Sequence, residues 1–310
     1  MPRRSRRTVI AAVVALLGAV TASGAVPEPA ELVSSYTWRA GDFEHFGGFS
    51  GLEVSDDGTS FVTISDEAWI VRGNFVREDG RILGIAADPP VEIRNSSGKK
   101  PGRFQANSEG LALDAEGRLW VSFEGYARVN YLPPGENRLH WIDRGPDFDN
   151  FQTNSGMEAL AIDPEGRPIT ILERSGDLKR PFPVYRLEAD GRWTNPYAVR
   201  REPPFLPVGA DTGPDGHLYL LERHFAGIGF RSRVRSFAYG PNGLEDERLI
   251  LETSLGQHDN LEGLSVWRDS DGDIRLTMIS DDNFNIFQKT EVVEYRIRPD
   301  AADDSRRRPR

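Results

Sequence analysis

One phrase returns five times along this chain, and that recurrence restricts the fold more than any other feature. The copies are FSGLEVSDDGTSFVTISDE (49–67), NSEGLALDAEGRLWVSFEG (107–125), GMEALAIDPEGRPITILER (156–174), VGADTGPDGHLYLLER (208–223) and NLEGLSVWRDSDGDIRLTMISDD (260–282). Each reads as a short strand, an Asp/Gly turn and an alternating apolar strand. Glycine takes the positive φ such turns need, and Asp bonds its own backbone. The Val, Ile, Leu, Trp and Tyr of the second strand suit a pleated surface. The anchor positions Ser50, Glu109, Glu158, Asp211 and Glu262 are 59, 49, 53 and 51 residues apart.

A unit of about 50 residues holds four short strands and their turns, a sheet too small to bury both faces. Five such sheets around an axis bury one another, which predicts an all-β fold, a β-propeller. ELVSSYTWR (31–39) and EVVEYRIR (291–298) read as terminal strands. The last phrase leaves room for three strands before the chain turns polar, so the N-terminal strand completes that sheet. Five blades are favoured. Six stay open if one blade lacks the phrase or a long connection hides strands. The 16 Phe, 8 Tyr and 6 Trp supply a core, and 31 Gly with 21 Pro point to many turns and few long helices.

The ends read differently. MPRRSRRT is followed by twelve apolar residues, Val9 to Val20, and then by TASGA. This is the pattern of a signal peptide cleaved near residue 25, and the run is short for a membrane span of about 20 residues. A periplasmic or secreted protein with no stable membrane span after processing is expected. Ser5-Arg6-Arg7 fits twin-arginine export, but the usual Phe-Leu-Lys continuation is missing, so the route stays open. Residues 26–298 form the propeller domain, and 299–310, rich in Asp and Arg, a loose tail. Loss of the four N-terminal arginines takes the net charge from -10 to about -14. Such a surface repels nucleic acid and anionic lipid unless a local basic patch intervenes. The chain has no cysteine, hence no disulfide and no thiol nucleophile. A monomer is expected.

The phrase also places acids. If its first strand is innermost, its leading residue lies near one mouth of the central channel, and the antiparallel partner returns its tail to the same end. Glu109 would then share a face with Glu124, Glu158 with Glu173, Asp211 with Glu222, Glu262 with Asp281, and Ser50 with Asp66. Like charges so gathered raise one another's pKa and oppose closure. Calcium offsets this by accepting several oxygen ligands. Ca2+ is therefore the expected cofactor, with Asn107, Asn154, Asn260, Asn283 and Asn285 as further oxygen donors. The competing reading is structural, with each acid paired to backbone amides or to an arginine. Arg174 and Arg223 follow two of the acids and suit phosphate or carboxylate.

Other chemistry is thinly signalled. Asp269, Asp271 and Asp273 lie in a blade turn and lack the glutamate and helices of an EF-hand, so a solvated hairpin tip is the plainer reading. No HExxH occurs, and His217 and His224 bracket a strand without need to converge. His224 and His258 are possible general bases. G-x-S-x-G, the P-loop and GxGxxG are absent, and Ser50 in GGFSG is one residue short of a nucleophile elbow.

FSGLEVSDDGTSFVTISD, NSEGLALDAEGRLWVSFE, GMEALAIDPEGRPITILER and DNLEGLSVW together resemble the phytase-like domain described as having esterase-like activity. The resemblance spans roughly residues 31–298. It implies an exported propeller hydrolase acting on a phosphate or related ester, a small-molecule ligand. A more distant likeness to calcium-dependent β-propeller phytases implies a cation that activates water while a basic residue steadies the developing charge. On that reading Glu109, Glu262, Arg174, Arg223 and His224 carry catalysis, with Lys179 another basic residue available. Glu109, Glu158, Asp211, Glu262, Asp66, Glu124, Glu173, Glu222 and Asp281 hold the cation. The alternative is a non-catalytic, calcium-stabilised propeller that binds a small molecule or a protein.

Overall fold

The computed structural model describes residues 30–39, 45–151, 156–173 and 180–298. The expected signal segment, the tail, Arg174, Lys179 and Asn154 lie outside these residues.

The chain begins with β1 (Glu31–Thr37) and then lays down sheets in order. Blade 1 holds β2 (Phe49–Val54), β3 (Ser60–Ser65), β4 (Trp69–Glu78) and β5 (Arg81–Ala87), with the short β6 (Val91–Glu92) also paired to β4. Blade 2 holds β7 (Ser108–Leu113), β8 (Leu119–Phe123) and β9 (Arg128–Leu132). Its outer edge is finished by an isolated bridge from Tyr131 to His140 rather than by a full fourth strand. Blade 3 holds β10 (Met157–Ile162), β11 (Pro168–Leu172), β12 (Phe182–Leu187) and β13 (Trp193–Val199). Blade 4 holds β14 (Leu206–Thr212), β15 (His217–Phe225), β16 (Phe230–Gly240) and β17 (Gly243–Glu252). Blade 5 holds β18 (Leu261–Arg268), β19 (Ile274–Ser280) and β20 (Glu291–Ile297), and β1 completes it by pairing antiparallel to β20. The fold is a five-bladed β-propeller closed by its N- and C-terminal strands.

The turn chemistry explains the hairpins. In DAEG, Asp114 Oδ1 accepts the N–H groups of Glu116 at 3.1 Å and Arg118 at 2.9 Å, while Oδ2 accepts Trp120 Nε1 at 2.7 Å. Asp163 repeats the pattern with Glu165 at 3.0 Å and Arg167 at 2.8 Å. One carboxylate thereby supplies the acceptors that a tight turn leaves short. In DSDGD, Asp269 does the same for Asp271 and Asp273 and binds Arg275 Nε at 2.6 Å, which makes it a hairpin tip.

Five apolar clusters fill the five seams between blades. Phe49 and Leu52 meet Trp267 and Ile279 between blades 1 and 5, and Val208 and Tyr219 meet Leu264 and Met278 between blades 4 and 5. The other three seams are built alike. Burial of these side chains, at about 25 cal/mol per Å² of apolar surface, is what a lone sheet would lack.

At the axis β2, β7, β10, β14 and β18 pack side by side. The third or, in β14, the fourth residue of each is small: Gly51, Gly110, Ala159, Gly209 and Gly263. A Cβ on Gly209 would lie 2.2 Å from the carbonyl oxygen of Glu262, and one on Gly110 2.6 Å from that of Glu158. Backbone therefore touches backbone at this level, and the residue just before each small one sits at the rim of the mouth.

Candidate active site at the channel mouth

Strand register fixes which residues form the rim. Phe49 pairs with Ser65, Ser108 with Phe123, Met157 with Leu172, Pro207 with Glu222 and Leu261 with Ser280. An irregularity follows each of these pairs and turns the next residue toward the mouth. The leading positions are thus Ser50, Glu109, Glu158, Val208 and Glu262. The returning positions are Asp66, Glu124, Glu173, Arg223 and Asp281.

Two expected ring members are displaced in blade 4. Asp211 pairs with Tyr219 rather than with Glu222, and it lies three residues deeper along β14 than the rim. There its Oδ2 accepts the N–H of Val266 at 2.6 Å, and burial lifts it to about 7. Its electrostatic neighbour is Glu53, pushed up by burial and then by Asp211. Glu222 is fully buried inside the blade, where it binds Arg233 Nε at 2.8 Å and Arg235 Nη2 at 2.6 Å. A slip of one residue exchanges the two faces of a strand, so the rim position passes from Glu222 to Arg223. Counting from the turn would have revealed this. Glu124, Glu173 and Arg223 each stand seven residues past the turn glycines Gly117, Gly166 and Gly216.

Arg223 divides the mouth. It donates through Nη1 to Glu262, and to Asn260 Oδ1 at 2.7 Å, and through Nη2 to Glu173 Oε1 at 3.4 Å. These carboxylates hold its pKa above the ordinary arginine value despite burial. Glu262 also accepts Asn260 Nδ2 at 2.9 Å. The opposite side has no such cation among the described residues. Asn107 Nδ2 donates at 2.6 Å to both Glu109 Oε1 and Glu124 Oε2. Carboxylate oxygens of Glu109, Glu124 and Glu158 all lie within 4.8 Å of one another.

Charge crowding shows in the titration of these groups. Burial, then Glu158, Glu262 and Glu124, push Glu109 well above the usual carboxylate range. Burial, then Glu173 and Glu262, do the same to Glu158, with Arg223 opposing. Burial lifts Glu124 as well, against a hydrogen bond from Gly156 N–H. Burial raises Glu262, while Arg223 and Asn260 pull it back. Asp281 rises to about 9, from burial and Glu262, and Asp66 to about 7, from burial, Glu67 and Glu262. Asp66 Oδ1 is buried without a hydrogen-bond partner among the described residues. A hard divalent cation suits three converging carboxylates with unspent acceptor capacity, so the donor set fits a metal ion.

The remaining expectations can be placed. Ser50 Oγ donates to the Ser108 carbonyl at 2.6 Å, a seam contact between blades. His258 is buried, with Nδ1 3.4 Å from Glu291 Oε1 and Nε2 2.6 Å from Tyr295 Oη, so both ring nitrogens are engaged. His224 stacks edge-on against Phe205, and burial and Arg231 lower its pKa. It lines a cleft of about 950 Å³ that opens beside the ring and also takes in Glu173, Arg223, Asn260, Asn283 and Asn285. A second cleft, about 680 Å³, adjoins Asp66, Asn107 and Glu124. Neither Glu53 nor the Arg233–Glu222–Arg235 cluster was expected from the sequence.

Residues 44–284 match the phytase-like family, described as having the esterase-like activity of phytase. The chain belongs to that family. The match takes in all five inner strands and all the rim positions. No curated protein shows a significant match to the sequence. Among solved structures, the WD40 repeats of RRP9 are 13% identical, with a TM-score of 0.47 over 88% of this chain and 100% of that one. A gluconolactonase from Xanthomonas campestris is 15% identical, with a TM-score of 0.45 over 82% of this chain and 74% of that one. Kuenenia stuttgartiensis hydrazine synthase is 15% identical, with a TM-score of 0.43 over 78% of this chain and 58% of that one, so this chain spans little more than half its length. These likenesses say nothing of the chemistry at the mouth. No helix among the described residues is long and apolar enough to cross a membrane.

Proposed function

We propose that this phytase-like propeller is an exported, calcium-dependent hydrolase of phosphate or related esters, with its active site at the acidic mouth. The observation that carries the reading is the convergence of Glu109, Glu124 and Glu158 within 4.8 Å. These three side chains would hold the cation, with Asp66 and Asp281 as the nearest further carboxylates of the rim. When bound, calcium would supply positive charge for a phosphoryl or acyl oxygen and acidify a water molecule.

The chain's own groups account for the rest. Arg223 faces the cleft and points its guanidinium at the ring, where it can steady negative charge that develops on the ester. Glu262 and Asn260 hold that guanidinium in one orientation. Asn107 fixes the relative positions of Glu109 and Glu124. His224, whose pKa burial and Arg231 lower, lines the same cleft and is the candidate general base.

The decisive experiment is turnover of an aryl phosphate and an aryl carboxylate ester with chelator and then with added calcium. Activity lost to chelator and restored by calcium is expected. Absence of turnover on both ester classes with calcium present refutes the hydrolase. A second reading draws support from the donors of Arg223, which Glu262, Glu173 and Asn260 already engage. It makes the cation and the arginine jointly structural, in a propeller that binds a small molecule or a protein without converting it.

A further inference from the structure

Three side chains at the mouth end are left bare to a degree seen nowhere else among the described residues. Ile228, Ile286 and Phe287 are 89%, 91% and 88% exposed, and no other large apolar residue among the described ones exceeds 59%. Ile228 sits in the turn between β15 and β16, and Ile286 and Phe287 in the connection from β19 to β20. Strands β15 and β19 both run toward the mouth, so the two tips project from the same face. Ile228 and Phe287 border one cleft, and Ile286 and Phe287 border a neighbouring one. Phe104 and Phe284, 58% and 48% exposed, extend the apolar rim on the side of blades 1 and 2.

A patch of this kind on a water-soluble surface marks a contact with another apolar phase. The tips protrude instead of lining an enclosed groove, so a ligand inside a cleft would leave them wet. Cations flank them: Arg39 and Lys289 beside Ile286 and Phe287, and Lys100 and Arg103 beside Phe104 and Phe284. Carboxylates share these flanks, Asp259 and Asp282 beside Ile286 and Phe287, and Glu67 beside Phe104 and Phe284. Apolar tips fringed by both signs of charge match a layer of zwitterionic headgroups over acyl chains. The net charge of the whole chain, -10, disfavours a strongly anionic surface and favours a zwitterionic one.

We propose that the mouth face seats on a zwitterionic lipid surface, with Ile228, Ile286 and Phe287 entering the interface. This places the acidic ring and the clefts around it against the lipid. It is independent of whether the ring is catalytic.

The full chain and its Ile228→Ser/Ile286→Ser/Phe287→Ser variant are compared by co-sedimentation with phosphatidylcholine vesicles. Partition of the variant should fall by about tenfold or more, since burial of even one such side chain is worth that much. Its melting temperature should stay unchanged, because the substituted atoms are in solvent. The chain has no cysteine, so a single one can carry an environment-sensitive dye. Gln288→Cys, near the tips, should shift to the blue with vesicles, and Val76→Cys, at the far end of blade 1, should not. Equal partition of the two proteins, or equal shifts at both labelled sites, overturns the proposal. So does a dimer in light scattering that the triple substitution dissolves without changing partition, since the tips would then serve a protein contact.

Discussion

Glu222 and Glu109 both stand near the mouth end of a blade, yet their surroundings are opposites. Glu222 is fully buried and accepts from Arg233 and Arg235, with Arg235 itself tied on to Glu247 at 2.7 Å. Glu294 in blade 5 is held likewise, by Arg77 Nη2 at 2.8 Å and Thr277 Oγ1 at 3.1 Å. Among the described residues Glu109 faces Asn107 and other carboxylates. Glu222 and Glu294 thus have their counter-charges built in, whereas Glu53 faces Asp211 inside the structure. At the mouth, one side is neutralised by Arg223 and the other is left with a deficit of positive charge. What separates Glu222 from Glu109 is that an arginine is provided for the one and, among the described residues, not for the other.

The contrast can be broken most sharply at Glu222. Glu222→Gln removes the shared acceptor of two buried guanidiniums and should cost about 3–5 kcal/mol, equally with calcium or chelator, in urea unfolding. A loss that calcium reverses would mean that Glu222 belongs with the ring. Next comes Arg223→Met, which strips the neutralised side of its cation. A loss of about 2 kcal/mol in chelator is expected, with calcium restoring more stability to the variant than to the parent.

A third test uses pH. Asp66 and Asp281 have folded-state values of about 7 and about 9, above the unfolded value of 3.8. The folded state then binds more protons between those limits, so stability falls as pH rises through them. Glu291, held near 2 by His258 and Ser35, acts in reverse, contributing above its unfolded value of 4.5 and losing that contribution as pH falls toward 2. The melting temperature in chelator should therefore peak in weak acid and drop by a few degrees toward pH 8, and calcium should flatten that drop. A rise from pH 5 to pH 8 in chelator would contradict the crowding. The smallest effect is Glu109→Gln, about 1 kcal/mol, with a change of sign. It should stabilise the metal-free protein, where a repulsion is lost, and abolish the gain from calcium, where a ligand is lost.

The fold was legible because a propeller repeats its physics. Turn, inner strand and seam recur every blade, and their shared requirements print the same phrase five times. Closure by β1 was legible from the strand missing after Glu291–Ile297. The ring was legible in blades 1, 2, 3 and 5, where an acid coincides with the rim. It was misread in blade 4 because Asp211 and Glu222 are acids at nearby positions, and side-chain identity was followed instead of register. Gly209, the small residue demanded by the carbonyl of Glu262, marks the true alignment and puts Val208 on the rim. The salt-bridged core of blade 4 was hidden for a different reason. Arg233 and Arg235 alternate along β16 as solvent-facing residues would, and only the packing of blade 4 shows that they point inward.

The pairing of β1 with β20 joins Glu31 to Arg296, 265 residues apart. Until that late strand has been synthesised, the fifth seam has no partner and the carboxylates of blades 1 and 5 have no reason to meet. Asp66 and Asp281 are thus brought together late, whereas Glu109, Glu124 and Glu158, on blades 2 and 3, can meet before the circle closes.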